Sequence, residues 1–161
     1  MNFRTYRVGL ISDTHGLLRP EAVEYLLESD FIIHAGDIGH AGVLAQLAEI
    51  APVTAVRGNN DNDAWASELR VTEVLEVGSA LIYVIHDLAE LDIDPVGGGF
   101  HAVITGHSHR PASEVREGVL FCNPGSAGPR RFRLPVSVGR LSISGAEVRS
   151  ELFELKVDGR G

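Results

Sequence analysis

The sequence predicts an α/β fold in which a strand–helix alternating half is followed by a half richer in strands, all within one domain spanning residues 1–161. Three observations predict it. Up to about residue 58, apolar runs of strand length alternate with windows whose apolar residues recur at helical spacing, the pattern of parallel strands joined by helical crossovers. Beyond about residue 70 the helical windows become few and short strand-like runs dominate. Most of the apolar strands of the chain break off into a short run of Asp, Asn or His.

In order, "RVGLIS" (7–12) reads as a buried strand and "RPEAVEYLLES" (19–29) as an amphipathic helix with Pro20 near its start, where a missing N–H costs nothing. "FIIHAG" (31–36) is a second strand, "AGVLAQLAEIA" (41–51) a second helix and "PVTAVRG" (52–58) a third strand. "RVTEVLEV" (70–77), "SALIYVIHD" (79–87), "HAVITG" (101–106), "ASEVRE" (112–117) and "VLFCN" (119–123) are strand-like. The glycine-rich segment 90–100 has room for a short helix at most, and 136–155 reads as a closing hairpin turning at Ser144-Gly145.

Composition narrows the function. At 44% hydrophobic residues the chain can bury a substantial core. The single cysteine, Cys122, lies in a predicted strand and reads as a buried thiol, and no internal disulfide can form. The first residues carry no apolar stretch long enough for a signal peptide or a membrane span, so we expect a cytoplasmic protein. A net charge of −8 argues against binding along a nucleic-acid backbone. An acidic protein acting on an anionic substrate needs a local positive centre, which divalent cations supply.

Five polar runs follow strands: Asp13-Thr14-His15-Gly16, Asp37, Asn59-Asn60-Asp61, His86-Asp87 and His107-Ser108-His109. In open parallel sheets, ligands bind beyond the carboxyl ends of the strands. Singly, each run has a plain structural reading. Asp13 and Asp37 suit helix caps, Asn59 and Asn60 suit a turn after Gly58, and His86 suits a hydrogen-bonded strand end. Together they supply imidazoles, carboxylates and amides, which are donors for borderline divalent metals. No thiolate is among them, which excludes a cysteine–zinc structural site. His34 reads as a structural histidine and His101 as a structural or exposed one.

The ordered set "SDTHG", "HAGDIG", "RGNND", "VIHD" and "TGHSH", with "NPGS" at 123–126, resembles the calcineurin-like metallophosphoesterase superfamily, in its small bacterial and archaeal phosphodiesterase branch. The likeness runs from about Arg7 to about Ser144. It implies a four-layer α/β/β/α sandwich with two mixed sheets. It also implies two divalent metals, one held by Asp13, His15, Asp37 and His109 and the other by Asp37, Asn59, His86 and His107, with Asp37 shared. Manganese is the expected ion, although nickel, cobalt, iron and zinc suit the same donors.

The reaction implied is phosphodiester hydrolysis by a metal-bridging hydroxide, with Asp37, Asn59, Asn60 and His107 in the catalytic centre. His40, Arg130 and Arg131 are candidate contacts to a small phosphate-ester substrate, and a homo-oligomer is expected by analogy alone. Two departures stand out. Asn60 occupies a position where many members have histidine, and an amide is no general acid at neutral pH. Asp87-Leu88 replaces a common Gly-His. The alternative readings are a non-catalytic scaffold on the same fold and a phosphodiesterase of nucleotides or short oligonucleotides.

Overall fold

A computed structural model describes residues 4–157. The chain runs β1 (Thr5–Ile11), α1 (Pro20–Leu26), β2 (Phe31–His34), α2 (Ala41–Ala48) and β3 (Val53–Ala55), the alternation that the apolar pattern predicts. It continues through β4 (Thr72–Val77), β5 (Ala80–Ile85), β6 (Ala102–Ile104), β7 (Ala112–Arg116) and β8 (Val119–Asn123) to the hairpin β9 (Ser137–Ser144) and β10 (Glu147–Glu154). Short 3-10 turns occupy Ala64–Glu68 and Leu88–Glu90.

Two mixed five-stranded sheets result, in the orders β10-β9-β1-β2-β3 and β4-β5-β6-β8-β7. In the first, β1, β2 and β3 are parallel and the closing hairpin is antiparallel to β1, with Val8 opposite Leu141. In the second, β5, β6 and β8 are parallel, flanked by antiparallel β4 and β7. The C-terminal hairpin therefore returns to the N-terminal sheet.

Side chains alternate across each strand and build three apolar layers. Between the sheets lie Val8, Leu10 and Ile33 from one and Ile82, Val84 and Ile104 from the other, all fully buried. On the outer face of the first sheet, Ile11 and Ile32 meet Ala22 and Leu26 of α1 and Val43 and Leu47 of α2. On the outer face of the second sheet, Tyr83, Ile85 and Val103 are covered by Leu91, Ile93 and Phe100. This is the α/β/β/α sandwich with a thin fourth layer, whose helical content among the described residues is the 3-10 turn Leu88–Glu90.

Both helices are shorter than their apolar periodicity suggests. Pro20 opens α1 as expected, but the helix stops at Leu26 and leaves Leu27 59% exposed. α2 ends at Ala48 while Ile50 and Ala51 continue the apolar pattern as a turn bonded to the Leu47 carbonyl. Among the described residues no helix is long and apolar enough to cross a membrane.

Candidate metal centre

The polar runs leave the strands through backbone that non-glycine residues rarely adopt. Asp13 (φ 55°), His15 (47°), Asp37 (54°), His107 (69°) and His109 (62°) all lie in the left-handed region. They are five of the seven such non-glycine residues among those described. Each position costs on the order of 1 kcal/mol or more, so such a concentration marks a built site. Two neighbouring glycines make room. A Cβ on Gly58 would strike the Asp37 backbone and carboxylate, and one on Gly106 would strike Ser12 Oγ.

The histidines meet in two pairs. The rings of His15 and His109 lie 5.4 Å apart, and those of His86 and His107 lie 5.2 Å apart. Asp13 and Asp37 reach across both pairs. Asp13 Oδ1 is 3.3 Å from His109 Nε2, 4.0 Å from His15 Nε2 and 3.9 Å from His86 Nε2. Asp37 Oδ2 is 3.4 Å from His86 Nε2 and 3.9 Å from His15 Nε2. Asn59 Oδ1 sits 3.0 Å from His86 Nε2 and 3.1 Å from His107 Nδ1. The fold thus brings Asp13, His15, Asp37, Asn59, His86, His107 and His109 to one point.

Surrounding groups set the orientation of each donor. His86 Nδ1 donates to the Ala35 carbonyl at 2.6 Å, which leaves Nε2 to face the carboxylates. Asp13 Oδ2 accepts from Ser12 Oγ at 2.6 Å and from His107 N at 3.1 Å, so Oδ1 is the oxygen turned inward. Asp37 accepts from Asn60 N at 2.8 Å and from Asn60 Nδ2 at 3.0 Å.

The electrostatics keep the carboxylates charged. Burial pushes the Asp13 and Asp37 carboxyls up, but their neighbours together outweigh it and the net direction is down for both. For Asp13 those neighbours are His109, Ser12 and His86; for Asp37 they are His86 and Asn60. Burial pulls His86 down, and the hydrogen bond to Asp37 and the field of Asp13 raise it overall. Asp13 Oδ1, His15 Nε2 and His109 Nδ1 are buried without a hydrogen-bond partner. An orphaned buried polar atom costs about 1–3 kcal/mol. Two subsets, Asp13-His15-His109 and Asp13-Asp37-His86, hold their donor atoms within 4.8 Å of one another. This donor set fits divalent metal ions.

Several residues stand outside the cluster. The caps are not Asp13 and Asp37: Arg19 precedes α1, and His40 caps α2 by accepting from Gly42 N at 2.9 Å. His40, Arg130 and Arg131 are exposed, and no hydrogen bond or ion pair among the described residues ties them to the centre. His34 is structural. Its Nδ1 accepts from Gly36 N, and its Nε2 donates to Thr14 Oγ1. His101 Nδ1 accepts from Leu81 N. Asp87 caps the 3-10 turn through Ala89 N and places Oδ2 3.8 Å from His107 Nε2.

Three supports escape a residue-by-residue reading of the sequence. Buried Asp61 accepts from the backbone N–H groups of Ile38, Gly39 and Gly58, locking the Asp37 loop to the Asn59 loop. Asn123 Nδ2 donates to Gly106 O and Ser108 Oγ. Ser126 Oγ donates to Asp13 O, and Ala127 N donates to Ser12 O. The "NPGS" segment thus braces the ligand loops from behind. Asp61 had a signal, the last position of "GNND"; the Asn123 contacts join two separate strand ends 15 and 17 residues apart, and those of Ser126 and Ala127 span more than 100 residues.

A two-sheet sandwich that gathers histidines and carboxylates at its strand ends defines a metal-dependent phosphoesterase scaffold. The chain matches the calcineurin-like phosphoesterase superfamily domain over residues 6–146 and belongs to that superfamily. It is similar to a probable metallophosphoesterase of Methanothermobacter thermautotrophicus, 32% identical over 158 residues covering 91% of each chain. It is also similar to a phosphodiesterase of Methanocaldococcus jannaschii, 25% identical over 92% of this chain and 99% of that one. In fold it is similar to vacuolar protein sorting 29 from Cryptosporidium parvum, with a TM-score of 0.81 and 22% identity over 98% of this chain and 94% of the other.

Proposed function

We propose that this protein is a metal-dependent phosphodiesterase whose centre holds two divalent cations, with manganese the expected ion. The observation that supports it most is that Asp13 and Asp37 each lie within 4.0 Å of a histidine from both ring pairs. One cation would be held by Asp13, His15, Asp37 and His109, the other by Asp37, Asn59, His86 and His107. Bound there, the cations supply Lewis acidity, drawing charge from phosphoryl oxygens and lowering the pKa of water so that hydroxide is present near neutral pH.

The chain's own residues set the rest. Ala35 O fixes the tautomer of His86. Asp87 steadies His107 from the side away from Asn59. Asn60 spends its amide N–H on Asp37 and holds no proton to give, so the leaving group must depart as a stable anion or take a proton from water. A cleft of about 310 Å³ lined by His107 and Asp87 is large enough for a small phosphate ester. His40, Arg130 and Arg131 are proposed as outer contacts to the substrate's phosphate.

Equilibrium dialysis of metal-stripped protein against manganese tests the centre. The expected result is two ions per chain, with loss of binding in His15→Ala and in His86→Ala. One ion per chain, or two that survive both substitutions, contradicts the dinuclear assignment.

A further inference from the structure

The residue that follows His109 and the segment 130–133 carry positive charge that has no ion partner among the described residues. Arg110, Arg130, Arg131 and Arg133 have no ion pair and no side-chain hydrogen bond among the described residues, in a chain of net charge −8. At the tip of the same loop Phe132 is 90% exposed and sits at φ 55°, a conformation a bulky side chain avoids. The loop grows from a fixed root, since Gly128 packs on the backbone of Asp13 and Thr14 and Arg19 holds the Gly128 carbonyl.

Arg110 connects this patch to the centre. It follows the candidate ligand His109 directly. It lines the cleft that contains His107, and it also lines a wider groove of about 720 Å³ formed with Phe132, Arg133 and Leu134. A guanidinium holds phosphate oxygens in two-point fashion, and an exposed aromatic face next to it suits a stacked planar base. The second half of the argument comes from Asn60. A site without a general acid favours a leaving group that is already a stable anion, and a phosphate is one where a sugar alkoxide is not.

We propose that Arg110, Phe132 and Arg133 form a nucleotide subsite, and that the natural substrate class is a nucleotide phosphoanhydride whose departing half is a nucleoside phosphate. This rests on the phosphodiesterase reading above. In the reaction, water's oxygen bonds to one phosphorus and the bond from that phosphorus to the bridging oxygen breaks. The electron pair leaves with the nucleoside phosphate, and the proton of water goes to solvent. No further reactant is needed. The net negative charge disfavours a long polyanion, which confines the class to small molecules.

The test compares three substrates under one metal: diadenosine diphosphate, the dinucleotide ApA and bis(p-nitrophenyl) phosphate. Diadenosine diphosphate should be split to AMP with a kcat/KM at least about 100-fold above that for ApA, because only the anhydride leaves without a proton. Phe132→Ala should lower kcat/KM for diadenosine diphosphate about fivefold to 100-fold more than for the aryl diester, the size of one lost base stack, and Phe132→Tyr should restore it. Calorimetric titration of metal-stripped protein with AMP reads the subsite without catalysis, and its Kd should rise in Phe132→Ala and in Arg110→Ala. Equal turnover of ApA, or an AMP affinity indifferent to Phe132, overturns the proposal. That includes the case in which the loop instead receives an acidic protein. If no substrate turns over with any metal, the phosphodiesterase reading fails, and the AMP titration still decides the subsite.

Discussion

His86 Nε2 lies 3.4 Å from Asp37 Oδ2, and the separation is set from behind the ring, where Nδ1 donates to the Ala35 carbonyl at 2.6 Å. The imidazole cannot rotate away without stranding its own N–H. Asp37 is pinned in turn by the backbone and side chain of Asn60. Two opposed donor groups are thus held at a fixed distance by the β2 and β5 strand ends.

On the proposed reading, Asn60 leaves the departing group without a proton donor. A series of aryl and alkyl phosphodiesters of rising leaving-group pKa is expected to give a steep fall in kcat, and alkyl monoesters should be the slowest. A flat dependence would mean that some group supplies the proton and that the role assigned to Asn60 is wrong.

Asp61 is the internal clamp of the centre. Asp61→Ala strands the N–H groups of Ile38, Gly39 and Gly58, each an orphan costing about 1–3 kcal/mol, so a loss on the order of 3 kcal/mol is expected in urea unfolding. Asp61→Asn keeps an acceptor and should recover part of it. A loss below about 1 kcal/mol would show that the loops are held by other means.

His34 gives the acid side of the stability profile a specific window. Fully buried, its pKa is pushed down to about 4 by desolvation, so the folded protein holds it neutral while the unfolded chain takes up a proton below about 6.5. Unfolding therefore binds a proton, and stability falls as pH drops from about 6.5 toward about 4, by about 2 kcal/mol at pH 5. In metal-stripped protein the stability gap between wild type and His34→Gln should narrow from pH 7 to pH 5. A constant gap would contradict the buried neutral histidine.

Cys122 is a structural thiol. Burial pushes it up to about 12, with Ser150 opposing weakly, so almost no thiolate exists at neutral pH. A disulfide reagent should modify it at the rate of global unfolding and no faster. Rapid modification of native protein would mean that the core around β8 opens locally.

The strands were the most legible part of the chain, because a period of two carries straight into two-faced burial: Ile32 faces the helices and Ile33 faces the other sheet. The candidate donors were legible because each ends a strand. What a linear reading could not reach was the supporting structure. The brace from Ser126 to Asp13 spans 113 residues, and the left-handed turns at Asp13, Asp37 and His107 fall on residue types that tolerate that conformation without requiring it. The rim was harder still. His40 follows Asp37 closely in sequence, and the α2 cap takes its Nδ1 and leaves only Nε2 for a substrate, a competition that only the folded backbone reveals. Phe132 gave no periodic signal because its significance is exposure, not burial.

The most direct test is hydrolysis of bis(p-nitrophenyl) phosphate by metal-stripped protein, with each divalent metal restored in turn and Asp37→Ala alongside. The expected result is turnover that requires an added metal, is strongest with manganese and is lost in folded Asp37→Ala. Turnover without metal, or turnover that survives the loss of Asp37, would contradict a metal centre built on that carboxylate.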